Sequence, residues 1–75
     1  MELDNYYENN WEIRDRFAVT LERIGSLLKN ISLLEESKSI FESLREELKF
    51  DKGQLDRLDG NIKYIQGKIN EKKEN

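Results

Sequence analysis

Tyr6, Tyr7 and Trp11 stand among Glu2, Asp4, Glu8 and Glu12, and the first twelve residues contain no Lys or Arg. Tyr and Trp carry large apolar area with a polar tip and are enriched at binding hot spots. In an acidic setting they form a candidate anchor for a basic partner surface, including the surface of a DNA-binding protein. The competing reading is a cap on a helical core, because Tyr7 and Trp11 fall four residues apart on one helix face. Covalent chemistry has few carriers. The chain holds no His and no Cys, so the commonest general base, the thiol nucleophile and the usual zinc ligands are missing. No nucleophile elbow, phosphate loop or dinucleotide turn occurs. The acidic pairs Glu35-Glu36 and Glu46-Glu47 lack the oxygen-ligand spacing of a calcium loop and read as solvated helix faces. The expectation is a non-enzymatic chain with no catalytic residue, no metal and no cofactor.

Two further patterns qualify as candidate binding features. Gly53, Gly60 and Gly67 recur every seven residues. On a helix they share one face and would let a second helix or a flat surface approach closely; otherwise they mark a weakly helical segment, since each costs about 1 kcal/mol relative to Ala. Gln54-Leu55-Asp56-Arg57-Leu58 partly resembles the short peptide with which many proteins dock on the bacterial DNA sliding clamp. The resemblance covers five residues, with Arg57 where an apolar residue is expected and Leu58 in place of the final aromatic. It implies a docking role for Leu55 and Leu58, whereas the periodicity assigns both to a helical seam. The Ser-Gln-Glu-Leu-Asp signature of small sporulation phosphatases is not matched, because Lys52-Gly53-Gln54 precedes Leu55-Asp56.

These residues must be positioned by helices. Apolar side chains recur at helical spacing along the whole chain. Ile13, Phe17, Leu21, Ile24, Leu28 and Ile31 form one series, widened by Leu27 and Leu34, and predict a first helix over about 6–30 with a face broad enough for two neighbours. Asn30 closes that helix, and Ser32 with Glu35 forms a capping-box pattern that opens a second over about 33–50. Phe41, Leu44, Leu48, Leu55, Leu58, Ile62, Ile65 and Ile69 keep one heptad register interrupted only by Asp51. Asp51 is a candidate cap with Gln54 three residues on, which starts a third helix over about 53–72. If the chain ran through Asp51 unbroken, the alternative would be an antiparallel hairpin with one arm of about 60 Å. The tail from about residue 71 is expected to fray.

The expected fold is therefore all-α, a small bundle of three helices in a single domain over 1–75. A chain of 75 residues buries little apolar surface and usually needs a staple. Disulfides are impossible, which leaves helix packing or self-association. A net charge of −3 gives no general attraction to nucleic acid or anionic membrane. The longest apolar runs, such as Phe17-Ala18-Val19, are too short for a membrane span. The absence of Cys fits a cytoplasmic setting. Function is expected to be protein–protein interaction, as a small regulator or inhibitor and a homodimer. The alternatives are an assembly subunit or adaptor, and an acidic or clamp-directed inhibitor of a DNA-processing protein. The Asn- and Lys-rich composition suits an AT-rich bacterium or its phage.

Overall fold

A computed structural model describes residues 11–74, which form three helices: α1 (Trp11–Leu28), α2 (Ile31–Glu47) and α3 (Lys52–Glu74). No strand occurs among the described residues. The all-α, three-helix architecture expected from the periodicity is the one observed. The expected start of the first helix near residue 6 lies outside the described residues.

The turns show where local chemistry decided the boundaries. α1 ends in a reverse turn at Lys29, which takes the left-handed conformation (φ 54°). The Lys29 N–H donates to the Ser26 carbonyl at 3.3 Å and the Asn30 N–H to the Gly25 carbonyl at 2.8 Å. This paired bonding satisfies two orphan carbonyls at the helix end. Asn30 then opens α2, its side chain accepting the Leu33 N–H at 3.2 Å. The expected Ser32–Glu35 capping box is not formed, because Asn30, with its short amide side chain in extended backbone, sits two residues earlier and takes the role. The second break falls at Asp51, whose carboxylate accepts the Gln54 N–H at 3.2 Å while its carbonyl accepts the Leu55 N–H at 2.9 Å. The unbroken 33–72 arm is thereby excluded. α3 runs on to Glu74.

α2 is the central helix, packed against both α1 and α3. The core comprises Ala18, Leu34, Phe41, Leu44, Leu58, Ile65 and Ile69, with Ile40, Leu48 and Ile62 partly buried against it. The heptad register read from residues 41–69 thus supplies most of the core. Ser37 is the buried polar side chain, and its hydroxyl donates to the Ala18 carbonyl at 2.6 Å. That bond satisfies the hydroxyl and draws α1 and α2 together. Gly25 lies at the same seam. A Cβ there would come within 3.1 Å of Leu34 Cγ and 3.2 Å of Leu33 Cβ. The Cα envelope measures 44 × 28 × 13 Å, so the three helices make a flattened layer with α2 in the middle.

Candidate interaction surface

α1 does not bury the face that its large apolar residues suggest. The residues that turn inward are Ala18, Leu21 and Gly25. Phe17, Ile24, Leu27 and Leu28 remain 52%, 42%, 82% and 63% exposed. The physical reason is distance: small side chains let α1 approach α2 closely enough for the Ser37 hydroxyl to reach its backbone, and this rotates the larger residues onto the flank. The series from Ile13 to Leu28 is therefore an edge stripe, with Leu21 on its inner border. The expected packing of this stripe against two neighbours is corrected accordingly.

The opposite flank of α1 meets α3. Arg57 donates to the Asp15 carboxylate at 2.9 Å and lies 6.0 Å from the Trp11 ring centre. Its Nε donates to Gln54 Oε1 at 2.9 Å. Trp11 is half-buried and packed on the core. It lies at the core margin, beneath the Arg57 guanidinium. Tyr6 and Tyr7 lie outside the described residues.

The other sequence candidates are dispersed along α3. Leu58 is fully buried and Leu55 half-buried. Leu58 is thus a core residue and not a free anchor in this fold: docking of residues 54–58 as an extended peptide would require α3 to unwind and Arg57 to release Asp15. Gly53, Gly60 and Gly67 are exposed on one face of α3. Nothing lies within 4 Å of a Cβ built on Gly60 or Gly67, and Asp51 Oδ1 is 3.6 Å from one on Gly53. No helix of the described residues makes close approach to this row. Beside it, Tyr64 is half-exposed with Lys68 Nζ 5.4 Å from its ring. Phe50, in the α2–α3 turn, is almost wholly exposed.

Charge is disposed unevenly around the α1–α2 flank. Arg14 donates to both carboxylate oxygens of Glu47 at 2.5 Å, a bidentate link between the two helices. The hydrogen bond from Arg14, opposed by partial burial, holds the Glu47 carboxyl below its ordinary value and raises the Arg14 guanidinium. Arg45 Nε donates to Asp59 Oδ1 at 2.5 Å and fastens α2 to α3. By contrast, Arg16, Arg23 and Glu36 are exposed and form no ion pair among the described residues. Among the described residues no three acidic side chains gather as a metal site. No helix there is long and apolar enough to cross a membrane.

Sequence reading missed Ala18, Gly25, Ser37 and Arg57. The first two were legible as small residues seven apart on α1, the pattern of a close helix contact. Arg57 was visible only as a departure from an apolar motif.

Fold and surface together define a three-helix unit in which Phe17, Ile24, Leu27 and Leu28 of α1 stay exposed. The chain matches no known protein family, and no curated protein or solved structure resembles it.

Proposed function

We propose that this chain is a non-enzymatic protein–protein interaction module, a small cytoplasmic regulator that works through the flank of α1. The observation that carries the reading is the row Phe17, Ile24, Leu27 and Leu28, exposed together on one helix. Scattered apolar residues on a surface need no explanation, but a contiguous stripe on a charged, water-soluble composition marks a contact site. A sequence without His or Cys, in which Arg14 and Glu47 are the described groups with displaced proton affinity, offers little to a reaction centre. Charged residues around the stripe would set orientation and encounter rate.

The test is site-specific photocrosslinking in a lysate of the source cells. A photoreactive residue at Ile24 or Leu28 is expected to give discrete protein adducts, and one at Asp56, exposed on α3, to give none. If positions 24 and 28 yield no more adduct than position 56, the reading is wrong.

A further inference from the structure

We infer that the cleft between the C-terminal ends of α1 and α3 is a second docking site, which takes an acidic segment of a partner protein and holds its carboxylates with Lys29, Lys68 and Lys72. The cleft opens over Leu34 of α2 and has a volume of about 360 Å³, at the small end of ligand-sized sites. One wall is Ser26 and Lys29; the other is Lys68, Glu71 and Lys72 of α3. Ser26 is two residues from both Ile24 and Leu28, about 200° around the helix, so the cleft lies across α1 from the apolar stripe. The two sites are therefore separate.

Three lysines stand here against one glutamate, a cationic spot on a chain of net charge −3. Elsewhere Arg14, Lys38, Arg45, Lys49 and Arg57 all have carboxylate partners, whereas Lys29, Lys68 and Lys72 have none among the described residues. Lys68 is half-buried with its ammonium 5.4 Å from the Tyr64 ring centre, which steadies the head group at the wall. Lys29 supplies an independent sign. It holds the left-handed conformation, φ 54°, at the position where glycine closes a helix without strain. A strained residue whose charged side chain borders a cleft is a mark of function rather than of folding.

Carboxylates suit this cleft better than phosphates. No arginine lines it, so the planar fork that grips phosphate at two points is missing, and lysine acts as a rotatable point charge. Glu71 on one wall and the negative charge of the whole chain oppose a nucleic-acid backbone. Lys68 and Lys72 stand one turn apart, about 6 Å along α3. That spacing matches two carboxylates four residues apart on a partner helix, with Lys29 meeting a third from the opposite wall.

The test is a titration of the full-length, isotope-labelled chain with acetylated, amidated hexaglutamate, followed by amide NMR shifts. Saturable shifts are expected at Ser26, Lys29, Lys68 and Lys72, weakening as salt is raised. Lys68→Gln and Lys72→Gln should each weaken binding about threefold, the size of one exposed ion pair. Lys52→Gln, at the far end of α3, should leave it unchanged. Lys29→Gly separates function from folding: it should raise unfolding stability and yet weaken binding about threefold. Shifts that do not saturate, or a Lys29→Gly variant that binds as tightly as the parent, overturn the inference. Inorganic phosphate that gives the same shifts at the same concentration overturns it in favour of a simple ion site. Binding seen only after residues 1–10 are removed also overturns it, because the chain's own acidic residues are then the occupant. Hexaglutamate binding that persists while positions 24 and 28 give no crosslinks refutes the α1-flank reading and leaves the cleft standing.

Discussion

Glycine means opposite things at different places on this chain. Gly25 is held against Leu33 and Leu34, where a methyl group would come within 3.1 Å of the nearest side-chain atoms. Gly60 and Gly67 face open space in the middle of a helix. Replacing glycine by alanine removes unfolded-chain entropy and improves helix propensity by about 1 kcal/mol where the site has room. Gly60→Ala and Gly67→Ala are therefore expected each to raise unfolding stability by about 1 kcal/mol in urea titration. Gly25→Ala should lower it despite the same propensity gain, because Leu33 Cβ is fixed to the backbone and cannot yield. The Arg14–Glu47 pair supplies a second residue-level expectation. The folded Glu47 carboxyl is depressed, so its contribution is present at neutral pH, above the ordinary glutamate value of 4.5, and is lost as acid carries the pH down through the lowered folded value. Both side chains are substantially exposed, which confines the effect to under about 1 kcal/mol. Glu47→Gln should thus differ slightly from the parent at pH 7 and merge with it in strong acid.

At the scale of helices, the caps decide how many there are. Asn30 and Asp51 each accept an N–H three residues on, and Asn30→Ala or Asp51→Ala is expected to cost about 1 kcal/mol in thermal denaturation followed at 222 nm. Lys29 contributes in the other direction. A side chain in the left-handed conformation costs roughly 1 kcal/mol, so Lys29→Gly should stabilise the α1–α2 turn. The break at Asp51 and the register from Phe41 to Ile69 were readable because they follow from local hydrogen bonding and from a strict seven-residue repeat. The inward face of α1 was not. Hydrophobic periodicity weights large side chains, and it therefore points to Phe17, Ile24 and Leu28. Contact distance selects small ones, and α2 approaches along Ala18 and Gly25. For the same reason the candidate surface was only half legible: its residues were named as core and turned out to be its exposed border.

For the whole molecule, the three described helices form a flattened layer, and no other described helix covers the side of α1 that carries Phe17, Ile24 and Leu28. A chain of this length has a small core to begin with, so a partner on that side would add appreciably to stability.

The connections of two and four residues, at 29–30 and 48–51, join helices that pack chiefly on their neighbours in sequence. Such wiring closes small loops and demands few long-range encounters. Refolding after a temperature jump should accordingly be complete within microseconds to milliseconds. The absence of proline removes the slow isomerisation phase that delays many larger chains.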